Sequence, residues 1–192
     1  MTHEIIISGF GGQGVLAMGR LLAEAGMQEG MNVSWLPSYG PEIRGGTANC
    51  AAVLSSEEII SPMVIEPTEL IAMNKPSLLR FEPHMVSGGK VFVNSTIVDI
   101  PAQRRDVLAY YVPCTEIAGE LGSAKVANMV MLGAYLKATN LLRLSTVREV
   151  LSRMFTGTKA ALSAVNLEAL RRGAAWGRDR GAGASGWRPP AN

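Results

Sequence analysis

EIIISGFGGQGVLAMGRLLAEAG, residues 4–26, decides the fold. A short apolar run closes on Gly9, and after the next glycines Val15, Met18, Leu22 and Ala25 recur at helical spacing until Gly30 stops the pattern. The stretch reads as strand, glycine turn, helix. Gly9, Gly11 and Gly14 satisfy G-x-G-x-x-G at that junction, with Gly12 and Gln13 between them. Amides at the start of such a helix face a phosphate, and small residues let a ligand approach the backbone. The same glycines would equally serve a tight turn and close helix–sheet packing, together with Ala17, Gly19 and Ala23. Both readings stay open at this level.

Working outward, NVSWLP (32–37) reads as a second strand and SYGPEIRGG (38–46) as a loop whose Pro and Gly residues break regular structure. Thr47–Leu54, Glu69–Met73, Lys90–Asn94 and Leu108–Val112 read as four more strands, with a short helix from Pro76 ending before SGG. From Thr115 the period becomes helical, over roughly 115–121, 124–139, 146–155 and 159–175, and Thr146 with Glu149 matches a capping box. Alternation followed by helices predicts an α/β fold: a Rossmann-like three-layer α/β/α domain with a largely parallel sheet and a helical C-terminal half. Asn128 lies in a helix apolar on every face, which means burial on both sides. The domain is expected over 1–176. Residues 177–192, rich in Gly, Ala and Arg, are expected to form a flexible tail because they offer little apolar surface against their ordering entropy.

In open α/β sheets, loops at the carboxyl ends of neighbouring strands share one crevice. If the first two strands are neighbours, the second Gly-rich loop, Tyr39–Thr47, meets the first one there. Arg44 would present a planar, permanently charged donor fork to a phosphate or carboxylate, with room left by Gly45 and Gly46 beside Thr47. Pairing of Arg44 with Glu42 is the competing role. A dinucleotide site also needs an acid at the end of the second strand, yet no Asp or Glu occurs between Glu29 and Glu42. No Gly-Lys-Ser/Thr follows the glycines, which excludes a P-loop.

The chain has 192 residues, 47% apolar and only 18% charged, below the roughly 25% common in soluble domains. Part of its surface is therefore expected to be covered by a partner subunit. The net charge is +2, but five Arg and one Asp from Arg171 onward leave residues 1–170 at −2, without a basic stripe for nucleic acid. Two cysteines, Cys50 and Cys114, suffice for neither a disulfide framework nor a zinc or iron–sulfur site. A cytoplasmic protein without a signal peptide, membrane span or metal of its own is expected. With two histidines, His3 and His84, and no aspartate before Asp99, a nucleophile triad has little to work with. Cys114, at a helix start, is a candidate for a lowered pKa, although a small buried residue is the commoner role.

GFGGQGV, PSYGPEIRGGTANC, AMNKPSL, VFVNST and NMVMLGAYL together resemble the gamma subunit of 2-oxoacid:ferredoxin oxidoreductases, most closely the 2-oxoglutarate type, from residue 4 to about 173. The resemblance implies an enzyme complex that oxidatively decarboxylates a 2-oxoacid to acyl-CoA and reduces ferredoxin. It implies thiamine diphosphate with magnesium and iron–sulfur clusters on partner subunits, namely alpha and beta chains, with a ferredoxin-like delta chain as a further candidate partner. It places the gamma-type domain on the coenzyme A side, with Gly9, Gly11, Gly12, Gln13, Gly14, Arg44, Gly45, Gly46 and Thr47 matching the family's motifs. No catalytic residue is assigned to this chain, and the isolated chain is expected to be inactive. A stand-alone Rossmann-type oxidoreductase and a purely structural subunit are the alternatives.

Overall fold

A computed structural model describes residues 1–38, 47–154 and 160–179, with side chains for 1–38, 47–154 and 162–177. Arg44, Gly45 and Gly46 of the expected site lie outside the described residues, as do residues 180–192. Six strands, β1 (Thr2–Phe10), β2 (Asn32–Ser38), β3 (Thr47–Ser55), β4 (Glu69–Ala72), β5 (Lys90–Asn94) and β6 (Leu108–Val112), form one sheet in the order β2-β3-β1-β4-β5-β6. β1, β4, β5 and β6 are mutually parallel, whereas β3 runs antiparallel to both β1 and β2.

The expected three layers and mostly parallel sheet hold, with one correction. β1 and β2 are not neighbours, because β3 stands between them. Only eight residues join β2 to β3, and a parallel return needs a crossover of a dozen or more. The hairpin therefore replaces the parallel neighbour on whose end a dinucleotide site holds its acid, in keeping with the lack of such an acid in the sequence.

Alternation along the strands separates two cores. Ile5 and Ile7 of β1, Ile71, Phe92 and Tyr110 face a large cluster closed by α1 (Val15–Gln28), α3 (Cys114–Glu120), α4 (Ala127–Thr139), α5 (Leu144–Met154) and α6 (Ala160–Asp179). Phe92 stacks on Tyr110 at 4.6 Å and meets Tyr135 edge-on at 5.1 Å, tying β5, β6 and α4 together. The other face, with Ile6, Leu70 and Val91, carries the short α2 (Lys75–Phe81), a 3-10 turn at Glu82–His84 and loop residues such as Val98 and Val64.

Helix limits follow local chemistry. The left-handed Gly30 (φ 78°) ends α1 as Met31 N–H returns to the Gly26 carbonyl at 3.0 Å. Asn74 starts α2 by accepting the Ser77 N–H at 2.9 Å, with Pro76 in the first turn. The capping-box expectation fails: α5 begins at Leu144, so Thr146 sits buried in its first turn. α4, with ten consecutive buried residues, crosses α6 so closely that a Cβ on Gly133 would collide with the Leu170 carbonyl and one on Gly173 with the Val130 carbonyl. α6 runs to Asp179, past the expected limit at 176, and Gly177 still lies against Ala134 and Lys137.

Candidate functional site

Parallel pairing brings the carboxyl ends of β1, β4, β5 and β6 to one edge of the sheet, where α1, α2 and α3 begin. Ser38, the last residue of β2, and Thr47, the first of β3, end at the same edge, because Thr47 is registered with Phe10 and Ser38 with Asn49. The expected meeting of the two glycine-rich segments falls on residues 39–46, outside the described residues.

The glycines divide by role. A Cβ on Gly9 would stand 2.9 Å from the Met73 Cβ and 3.0 Å from Val15, so this glycine lets the helix start sit down on the sheet. Gly14 (φ 72°) faces Asn128, whose Nδ2 donates to the Gly14 carbonyl at 3.2 Å and would collide with any side chain at 14. Gly12 is different: its φ is 94° and a Cβ there meets nothing within 4 Å. Gly11 and Gly12 are exposed. The packing role is thus carried by Gly9 and Gly14, while the backbone at 11–12 stands open.

Gln13 fixes this loop. Its Oε1 accepts the Phe10 N–H at 2.6 Å and its Nε2 donates to the Met73 carbonyl at 3.1 Å, joining the ends of β1 and β4. The same carbonyl accepts from Asn94 Nδ2 at 3.4 Å, which also donates to Thr115 Oγ1 at 2.9 Å. Ser8 and Ser77 hydroxyls pair at 2.8 Å beside them. α1 begins at Val15, with no side-chain cap and no acid in its first turn. Its leading amides and positive dipole end are left for solvent or an anion.

At the rim itself Lys75, the first residue of α2, pairs with Asp99 at 2.9 Å, and Glu116 lies in the first turn of α3, whereas His3 and the two thiols are placed elsewhere or buried. His3 pairs with Glu69 at 2.8 Å, buried at the amino-terminal side of the sheet. Desolvation pushes the Cys50 thiol up to about 11 and the fully buried Cys114 thiol well above its usual value, in line with the buried role for Cys114 rather than the lowered pKa that its helix-start position offered. Among the described residues no group of three His, Cys, Asp or Glu could hold a metal ion. A concavity of about 400 Å³ between Glu29, Lys137, Asn140 and Arg143 lies at the far end of α1, away from the glycines. No described helix is long and apolar enough to cross a membrane.

Residues 4–176 match the pyruvate ferredoxin/flavodoxin oxidoreductase family. The chain belongs to this family. It is 43% identical over 178 residues to the ketoisovalerate oxidoreductase subunit VorA of Methanothermobacter thermautotrophicus, covering 92% of this chain but 36% of that protein. It is 37% identical over 158 residues to the 2-oxoglutarate synthase subunit KorC of Methanothermobacter marburgensis, covering 79% of this chain and 85% of the relative. Among solved structures, a 2-oxoglutarate:ferredoxin oxidoreductase from Magnetococcus marinus, with 2-oxoglutarate, coenzyme A and succinyl-CoA bound, superposes with a TM-score of 0.87 at 27% identity. That match covers 99% of this chain and 33% of the other. The chain thus spans about a third of the longer family members and most of the shorter ones.

Sequence reasoning located the glycine turn but missed the side chains that hold it. Asn128 stood out as polar in an apolar helix, yet its partner Gly14 lies 114 residues away and nothing local announces the contact. Met73 contributes only a carbonyl, which no residue pattern encodes. The β2–β3 hairpin was missed as well, although the eight-residue connection between the two strands is too short for a parallel crossover.

Proposed function

We propose that this chain is the gamma-type subunit of a 2-oxoacid:ferredoxin oxidoreductase and lends the complex part of its coenzyme A site. The observation that carries the reading is the open, clamped glycine turn at the uncapped start of α1, in a chain similar to a third of a Magnetococcus oxidoreductase that was solved with coenzyme A bound. Exposed backbone at Gly11 and Gly12 and the first amides of α1 suit a phosphate, which needs several N–H donors and a positive dipole end. Arg44, on the loop anchored at Ser38 and Thr47, is assigned the guanidinium contact, with Gly45 and Gly46 leaving it space. Gly9, Gln13 and Gly14 hold the turn in shape rather than touch ligand.

The domain is assigned to 1–176. The oxidation itself is assigned to partner alpha and beta chains carrying thiamine diphosphate, magnesium and iron–sulfur clusters, in the cytoplasm, with ferredoxin as acceptor. Thiamine diphosphate supplies the carbanion stabilisation that decarboxylation of a 2-oxoacid requires. This chain's part is to bind and orient the acyl acceptor.

Replacing Arg44 tests the site. A charge-assisted contact is worth about 1.5–3 kcal/mol, or roughly 10- to 150-fold in affinity. In the assembled enzyme Arg44→Ala is expected to raise the KM for coenzyme A by that factor and leave the KM for the 2-oxoacid unchanged, with Arg44→Lys recovering part of the loss. An intact complex carrying Arg44→Ala with unaltered coenzyme A dependence overturns the assignment. Gly12 is a poor probe, since φ 94° strains any L residue whether or not ligand binds.

A further inference from the structure

The connection between β3 and β4 is apolar where it meets water. Residues 59–65, Ile-Ile-Ser-Pro-Met-Val-Ile, contain no charge and no regular secondary structure. Val64 turns inward onto the smaller core cluster beside α2. Ile60, Met63 and Ile65 point out, with 99%, 65% and 75% of their surface exposed. Three large apolar side chains presented within six residues make a contiguous patch rather than scattered exposure, and such patches mark interfaces. Both ends of the segment are held: the Asn32 amide donates to the Glu57 carbonyl at 2.9 Å, and the Thr68 N–H bonds to the Glu4 carbonyl at 2.9 Å. Pro62 and Pro67 restrict the chain between them. A bulge tethered in this way loses little conformational entropy when covered.

We propose that residues 59–65 are a docking element for another polypeptide of the oxidoreductase, the one whose counterpart is covalently joined to this domain in the longer relatives. Those relatives carry the domain as about a third of their length, and the short ones carry it alone, so in the latter the same neighbour must be held without a peptide bond. Charge selects the occupant. Glu57 and Glu58 flank the apolar run on one side and Glu66 on the other, all exposed. A second copy of this chain meeting the same patch about a two-fold axis would bring six carboxylates together. An apolar depression rimmed by Lys or Arg accepts the patch with its charges matched.

The inference rests on the subunit reading, and co-expression of the full chain with the other subunits of the oxidoreductase separates the two. Co-purification of the wild-type chain reads the subunit assignment alone. The triple variant Ile60→Glu, Met63→Glu, Ile65→Glu is expected to lose co-purification, at least tenfold in affinity, while keeping a Tm close to wild type because these side chains are mostly exposed within the chain. Met27→Glu with Leu162→Glu, exposed apolar positions on α1 and α6 outside the patch, is expected to stay in the complex. Glu58→Lys with Glu66→Lys is expected to weaken assembly at low salt and to approach wild type at high salt. Retention of the triple variant in the complex overturns the docking element and leaves the subunit reading standing. A wild-type homodimer that the triple variant dissociates, with the larger complex intact, assigns the patch to a second copy and also overturns it. A wild-type chain that joins no partner removes both.

Discussion

Gln13 is the one side chain in the glycine turn that makes two hydrogen bonds, to the Phe10 N–H and the Met73 carbonyl, and neither contact points at a ligand. Gln13→Ala is therefore expected to cost about 1–2 kcal/mol in urea unfolding, the range for two ordinary hydrogen bonds at a half-exposed site, and to raise the KM for coenzyme A in the complex. Gln13→Glu keeps the acceptor for Phe10 but sets a carboxylate against the Met73 carbonyl and near the position proposed for a phosphate, so it is expected to be the worse of the two for coenzyme A. An unchanged coenzyme A KM with lowered stability in both variants would confine Gln13 to folding. The thiols give a second check at this scale. With the Cys50 thiol pushed up to about 11, on the order of one part in a thousand is ionised at pH 8, and Cys114 is pushed up further behind complete burial. A thiol reagent at pH 8 is expected to label neither in the native chain and both in denaturant. Rapid labelling of native Cys114 would restore it as a reactive group. Which glycine does which job was illegible in the sequence: Gly9, Gly12 and Gly14 are the same letter, and only Val15, Met73 and Asn128 around them separate packing from openness.

Between elements, what the sequence carries is periodicity, and what it omits is direction. Six strands and the late helices are legible because apolar residues at period two or at helical spacing are a one-dimensional signal. The orientation of β3 is not in that signal, since a strand alternates alike in both directions, but it is fixed by the eight-residue connection that precedes it. The start of α5 was misread because Thr146 and Glu149 satisfy a capping pattern while Leu144 and Thr146 already belong to the first helical turn. Contact between α4 and α6 had no local signature at all. It depends on Gly133 and Gly173 presenting bare backbone to carbonyls of the facing helix. Gly173→Ala and Gly133→Ala are each expected to destabilise by about 2–3 kcal/mol, overpacking outweighing the roughly 1 kcal/mol that Ala gains over Gly in helix propensity. At Gly177 the nearest atoms to a Cβ are 3.0 Å and 3.2 Å away, so Gly177→Ala is expected to be near neutral. Equal stability of Gly173→Ala and wild type in urea unfolding would show that the two helices separate at little cost.

For the molecule as a whole, the sheet is finished unequally: five helices close one face, and a seven-residue helix with loops closes the other. The helix starts that face the glycine rim offer backbone amides and small polar groups, together with Lys75, paired with Asp99, at the start of α2 and Glu116 in the first turn of α3. His3 is occupied by Glu69, and both thiols are buried. Decarboxylation needs a carbanion-stabilising cofactor and electron transfer needs a chain of redox centres, and among the described residues no three His, Cys, Asp or Glu side chains converge to hold a metal centre. The isolated chain is accordingly expected to reduce neither ferredoxin nor viologen when given 2-oxoglutarate, coenzyme A and thiamine diphosphate, and to support that reaction once the other subunits are added. Calorimetric titration with coenzyme A separates the two halves of the assignment. Heat of binding without turnover places a ligand site on this domain. Absence of binding to the free chain together with a coenzyme A KM sensitive to Arg44 in the complex means that the site is completed only at the subunit junction. Reduction of the acceptor by the single chain would contradict the division of labour outright, because the electrons would then have to leave a molecule in which no described cluster of ligands is available to carry them.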